Sequence, residues 1–160
     1  MIHAHWGATG NLLNIADETK YLSTTIDIIK KLQSPPKIIL IGPVPVWTRN
    51  LPEILANIVK NDPQHNLPPE RLSGYLNQDV LLADDRLYIF SESKNIIYLS
   101  PLKLLCNSSE CTARVGGNSI DSLTFDKDHL SKSGSIFVMT SLLKILSNNP
   151  NGNPFIFKRD

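Results

Sequence analysis

The sequence has little of what would make it a membrane, fibrous or nucleic-acid-binding chain. No apolar run approaches the roughly 18 residues that a membrane-spanning helix needs; Ile38 to Ile41 is typical of the longest clean stretches. No basic segment is followed by a long apolar one, so no signal peptide is expected among these residues. Charge of one sign is not in excess. The 16 Lys and Arg stand against 15 Asp and Glu, a formal net charge of +1, whereas a nucleic-acid binder carries a strong basic surplus. No nucleic-acid partner is therefore expected. Cysteine is scarce: the 2 present are too few for a structural zinc site unless histidines join, and His3, His5, His65 and His129 are not at zinc-finger spacing. A Cys-x-x-Cys redox motif is missing as well. Internal repeats and domain-sized shifts of composition are also absent. What is there, 160 residues with 41% hydrophobic and 19% charged, has the balance of one domain able to bury its own core. Apolar sequence starts at Met1, with no polar lead-in.

Hydrophobic spacing alternates between the helical and the extended period. Residues 2–4 read as the end of a strand, followed by a loop from Gly7 to Asn11. Leu22, Ile26, Ile29 and Leu32 fall at helical spacing within 17–33, with Asp27, Lys30 and Lys31 on the wet side. Ser34, Pro35 and Pro36 end that helix. The β-branched run Ile38 to Ile41, bounded by Pro36 and Gly42, reads as a strand buried on both faces, the pattern of a parallel sheet. A short helix is expected over 50–60, with Pro52 tolerated in its first turn. A longer one is expected over 70–92, carrying Leu72, Leu76, Val80, Ala83 and Leu87. Ile96 to Leu99 is a second buried strand, Gly116 and Gly117 a turn, and Leu123 to Phe125 a short extended piece. A last helix over 133–147 would bury Ile136, Met139, Leu143 and Leu146, and the tail 148–160 opens with the composition of a loop. Helix and strand alternate, so the class is α/β with a largely parallel sheet.

Three features bear on chemistry. Cys106 and Cys111 flank Asn107 to Glu110, a short polar loop that a local disulfide would close, contributing about 2 kcal/mol by chain entropy; two reduced, partly buried thiols fit the same residues. A disulfide would place the domain in an oxidising compartment, at odds with the missing leader. In Phe125 to Ser131, Asp126 and His129 are three residues apart. At a turn into a helix, that spacing can bring the carboxylate onto the imidazole Nδ1, fixing the tautomer so that the other nitrogen can take a serine proton. The segment also reads as a charged loop before a helix, with Ser131 or Ser133 as N-cap. Asp128 is expected to be solvated. Trp6 and Trp47 both follow strands, where α/β folds gather ligands, and could stack on a sugar ring or pack in the core. His3 and His5 alternate on a strand without an evident third ligand, so no metal is expected, and no cofactor.

Taken in order, several stretches resemble one family. The block Phe125-Asp126-x-x-His129-Leu130-Ser131-x-x-Gly134 is similar to the final block of SGNH-type hydrolases. The closer resemblance is to the SGNH domain at the C-terminal end of membrane O-acyltransferases of the acyltransferase 3 type. Ile2 to Trp6, Ile39 to Trp47 with Pro52 beyond, Leu104 to Cys106 and Cys111 carry it too, and it covers about residues 1–147. The resemblance implies a three-layer α/β/α sandwich with a mostly parallel sheet, a Cys106–Cys111 disulfide, His129 as general base, Asp126 as its orienting partner, and Ser131 and Gly134 shaping the start of the last helix. It implies acyl transfer, often of acetyl, to a cell-envelope glycan on the periplasmic face of a bacterial inner membrane, next to the membrane domain of the parent acyltransferase.

One departure from the family pattern matters. The family takes its nucleophile from a Gly-Asp-Ser block on the first strand, and none occurs in these 160 residues. Ser23, Ser73, Ser91 and Ser93 lie on expected helices with no preceding glycine, and Ser100 precedes Pro101. The nucleophile is thus none of the chain's serines, and the oxyanion hole lacks the donor that the nucleophile's own N–H normally supplies. The expectation is an N-terminally incomplete SGNH domain over 1–147, inactive alone, cut from a larger O-acyltransferase or serine esterase. The competing expectation is a non-catalytic carbohydrate-binding or regulatory module of the same fold.

Overall fold

The computed structural model describes residues 12–62, 67–116 and 121–148. The elements follow in the order α1 (Leu12–Lys30), β1 (Ile39–Ile41), α2 (Leu51–Asn61), β2 (Arg71–Leu72), α3 (Asp79–Ser93), β3 (Ile97–Leu99), α4 (Pro101–Leu105), β4 (Cys111–Thr112) and α5 (Lys132–Asn148). The strand and loop expected over 2–11, His65, Gly117 and the tail beyond Asn148 lie outside the described residues.

The two apolar runs pair as the sequence predicts. β1 and β3 are parallel, with Ile39 opposite Ile97, Leu40 opposite Tyr98 and Ile41 opposite Leu99. Side chains alternate along a strand, so each register pair faces one side. Leu40 and Tyr98 join Leu22, Ile26 and Leu87 in one cluster, beside α1 and α3. Ile41 and Leu99 join Trp47, Leu51, Ile54, Leu123, Val138 and Leu142 in the larger one, beside α2 and α5. A sheet with apolar residues on both faces, each met by helices, is what makes the strands read as unbroken apolar runs.

Beneath the first face sits a buried polar knot. Asp84 of α3 is 1% exposed, and its Oδ1 accepts from the Tyr98 hydroxyl at 2.6 Å and from Ser100 Oγ at 2.6 Å. Lys103 Nζ stands 3.5 Å from the other oxygen. The acceptor pulls the tyrosine across the exit of β1: a Cβ on Gly42 would lie 2.0 Å from the Tyr98 hydroxyl, so a glycine ends the strand there. Ser100 also caps α4, its hydroxyl accepting from the Lys103 amide at 3.0 Å ahead of Pro101.

The structure corrects several sequence expectations. Residues 70–78 are not helical. Arg71 and Leu72 form β2, antiparallel to Thr112 and Cys111 of β4, and Gly74 turns the chain at φ +78° before α3 begins at Asp79. Ser73 is therefore not on a helix. α1 ends at Lys30, which leaves Leu32 in the turn beyond it and exposed. On α5 the buried line is Gly134, Val138 and Leu142, whereas Ile136 and Leu143 are 59% and 58% exposed. Gly134 sets that rotation: a Cβ there would lie 2.0 Å from the Leu123 carbonyl oxygen, so this side of the helix lies against backbone.

Candidate active site

The segment 121–131 leads into α5 as a narrow loop rooted in the core. Leu123 and Thr124 are fully buried. The Leu123 amide donates to the Ala113 carbonyl at 2.7 Å, the Ser131 amide to Leu123 at 3.0 Å and the Phe125 amide to His129 at 3.0 Å. These bonds fold 123–131 back on itself and leave Asp126 to Asp128 at its tip. A short polar side chain that bonds backbone two and three residues on makes such a turn. Asp126 does so: its Oδ1 accepts from the Asp128 amide at 3.0 Å and the His129 amide at 2.8 Å. Two bonds tie the tip to the β1–α2 connection. The Trp47 amide donates to the Lys127 carbonyl at 2.8 Å and the Leu51 amide to the Asp126 carbonyl at 3.1 Å.

Asp126 Oδ2 remains for the imidazole and lies 2.7 Å from His129 Nδ1. An ionised carboxylate only accepts, so Nδ1 carries the proton and Nε2 is the basic nitrogen. Asp128 Oδ1 stands 3.1 Å from the same Nδ1. Phe125 stacks on the ring, centroids 5.6 Å apart and planes 19° from parallel. The hydrogen bond to Asp126 raises the His129 pKa above its usual range, helped by the charges of Asp126 and Asp128 and opposed by desolvation. For Asp126, desolvation pushes the carboxyl up. The Asp128 and His129 amides and the imidazole outweigh it, and its pKa ends below the usual carboxylate range. One oxygen or nitrogen each of Asp126, Asp128 and His129 fall within 4.8 Å of one another; a protonated Nδ1 turned to carboxylates is a donor, not a metal ligand.

The helix start is built from the expected pair. Ser131 Oγ accepts from the Gly134 amide at 2.9 Å, the N-cap bond, and donates to the Ser122 carbonyl at 2.7 Å. Cys106 and Cys111 are joined in a disulfide, closing a loop in which Asn107 Oδ1 accepts from the Ser109 and Glu110 amides.

Other candidates stand elsewhere. Trp47 is 1% exposed and belongs to the core. That corrects its reading as a sugar platform, because apolar residues of α2 and α5 occupy the space a ligand would need. Its backbone amide, not its ring, serves the site. Trp6, His3 and His5 lie outside the described residues. Serine hydroxyls find partners away from the imidazole: Ser91 on Tyr88, Ser93 on Phe90, Ser100 on Asp84 and Ser133 on Asp121. Asp128 departs from the solvated state expected of it, its side chain being only 15% exposed. The Asx turn that Asp126 makes is the signal that could have found it, since the turn folds residue 128 back toward the ring.

A family model described as an SGNH domain fused to AT3 domains matches residues 1–144. The chain belongs to this family. Among solved structures, the SGNH chain is similar to the lipopolysaccharide acetyltransferase periplasmic domain of Salmonella ser. Paratyphi A, with 31% identity and a TM-score of 0.73. The likeness covers 88% of this chain and 53% of that one, so the SGNH chain spans about half the length of the domain it resembles. No curated protein matches. Among the described residues of this SGNH domain, no helix is long and apolar enough to cross a membrane. Its mixed α/β fold with a small parallel sheet is the common ground with that neighbour.

Proposed function

We propose that the chain carries the general base and its orienting carboxylate for an O-acyltransferase of cell-envelope carbohydrate, working on the periplasmic side beside a membrane acyltransferase domain. The observation that carries this is the Asp126–His129 pair, 2.7 Å apart at Nδ1, on a loop whose backbone is bonded on both sides. The family likeness and the periplasmic acetyltransferase neighbour support the reaction class. The disulfide supports an oxidising compartment. Helices against both faces of β1 and β3 support the α/β/α arrangement.

The serine comes from a Gly-Asp-Ser segment outside these 160 residues. Its hydroxyl gives its proton to His129 Nε2 as Oγ attacks the acyl carbonyl carbon. Asp126 stabilises the imidazolium so formed. The donor's leaving group takes that proton from Nε2, leaving an acyl-serine. A sugar hydroxyl then loses its proton to Nε2 and attacks the ester carbon, and the serine departs with the proton. Acyl transfer is thus balanced without a cofactor.

The test uses p-nitrophenyl acetate and an oligosaccharide acceptor. The chain alone should show no turnover that depends on His129. Joined to an N-terminal segment that carries a Gly-Asp-Ser block, it should acetylate the acceptor and lose at least about 100-fold in the His129→Ala variant. Turnover by the chain alone that vanishes in His129→Ala would refute the missing serine. Transfer indifferent to His129 would refute the base. A sugar-binding module would instead bind the oligosaccharide with unchanged affinity in His129→Ala and never transfer; the burial of Trp47 removes its best sugar platform.

A further inference from the structure

His129 Nδ1 faces two carboxylates, and the loop geometry makes the second no accident. The Asp128 amide donates to Asp126 Oδ1 at 3.0 Å, which turns residue 128 inward and sets its Oδ1 3.1 Å from Nδ1. Asp126 Oδ2 is nearer, at 2.7 Å, but its side chain is 33% exposed against 15% for Asp128. The closer partner is the more hydrated, and an exposed ion pair is weakened by water and salt. The more distant partner is shielded from both. The hydrogen bond of Nδ1 is to Asp126 and Asp128 Oδ1 stands at ion-pair distance; a small rotation of the ring would turn the N–H toward Asp128, the geometry of a three-centre bond.

We propose that Asp128 is a positioning residue for the base: it shares the Nδ1 proton of His129 with Asp126 and takes it over when Asp126 is lost. The proposal rests on His129 acting as the general base, which gives the shared proton its purpose. Among the described residues, Asp126 and Asp128 are charged groups that act on the ring, both from the same loop. With two acceptors the imidazole keeps the Nδ1–H tautomer through fluctuations that break either bond. The orienting job is thus spread over two side chains, where a single carboxylate would leave the tautomer open whenever it swung into solvent.

The test is a ring-nitrogen NMR titration of the full chain, with the His129 signals assigned by their loss in His129→Gln. It compares wild type, D126N, D128N and D126N/D128N. D128N should lower the His129 pKa, and D126N should lower it further. The double variant should lower it by more than the sum, because each single variant leaves a substitute acceptor. Nitrogen shifts should report Nδ1–H in both single variants and a mixture of tautomers in the double. The proposal is overturned if adding D128N changes neither pKa nor tautomer, whether it is added to wild type or to D126N. D128A repeats the measurement without a side-chain amide, and D128N alone suffices should D126N fold poorly. A purely structural Asp128 would change the melting temperature and leave the titration alone. The titration does not involve turnover, so a failure of the base reading in the transfer assay is recognised separately.

Discussion

The contact between α5 and the backbone of the 123–131 loop predicts a large effect from a small change, Gly134→Ala. Alone, the substitution favours a helix, since alanine is better than glycine by about 1 kcal/mol in a helix interior and by less in a first turn. Against this, the added methyl would lie 2.0 Å from the Leu123 carbonyl oxygen and 3.2 Å from Ser131 Oγ. Ordinary contact requires the helix to withdraw by more than about 1 Å. The obstacle is backbone, which cannot swing aside as a side-chain tip can. Overpacking of this kind costs roughly 1–3 kcal/mol. Withdrawal also strains the cap between Ser131 Oγ and the Gly134 amide, worth about 1 kcal/mol. The clash and the lost cap outweigh the propensity, leaving a net loss of roughly 1–3 kcal/mol. In a chain of this length that lowers Tm by about 3–10 °C. Urea unfolding gives the free energy, and the His129 ring titration shows whether the loop moved with the helix. A variant within about 0.5 kcal/mol of wild type, with an unchanged His129 pKa, would refute the claim that this contact sets the rotation of α5 against the loop.

Replacing both cysteines of the Cys106–Cys111 disulfide with serine should cost about 2 kcal/mol, read as a lower urea midpoint than that of the oxidised chain. Asp84→Ala strands the Tyr98 and Ser100 hydroxyls and should cost about 3 kcal/mol; a loss under about 1 kcal/mol would mean that the knot is dispensable. The Asp126–His129 pair imposes a pH window. The His129 contribution is complete below its ordinary 6.5 and is lost as pH rises through the higher folded value. That of Asp126 is complete above its ordinary 3.8 and is lost as pH falls through the lower folded value. Both are in force from about pH 4 to about pH 6.5, and Asp126→Asn should flatten both edges in denaturation curves taken across pH. If His129 is the base as proposed, acyl transfer by the chain joined to a Gly-Asp-Ser segment should rise with pH above the ordinary histidine range, and that limb should move down in Asp126→Asn.

The strands were legible because burial on both faces writes itself as an apolar run, and Ile38 to Ile41 and Ile96 to Leu99 are the two that pair. The bounds of α2 and α5 were legible because Pro52 and Ser131 mark helix starts locally. The phase of α5 was not. Its inward line is set by Gly134 pressing on Leu123, a tertiary contact that hydrophobic periodicity does not see, so spacing alone turns Ile136 and Leu143 to the wrong side. β2 was hidden for a similar reason. Leu72 and Leu76 keep step with Val80, Ala83 and Leu87, but Gly74 and the pairing of Arg71 with Thr112 prevail over that spacing. At the site, Asp126 and His129 were legible as a spacing; Asp128 was not, because its approach to the ring depends on a turn made by its neighbour's side chain.

The two amides that hold the loop tip have a use of their own. Trp47 and Leu51 donate to the carbonyls of Lys127 and Asp126, so their hydrogens can exchange with solvent only when the tip lifts away from the β1–α2 connection. In native-state hydrogen exchange the slower of the two reports how often the loop that carries Asp126 and His129 opens. The measurement needs no ligand, and it shows how firmly the Asp126–His129 pair is pre-assembled in the chain as it stands.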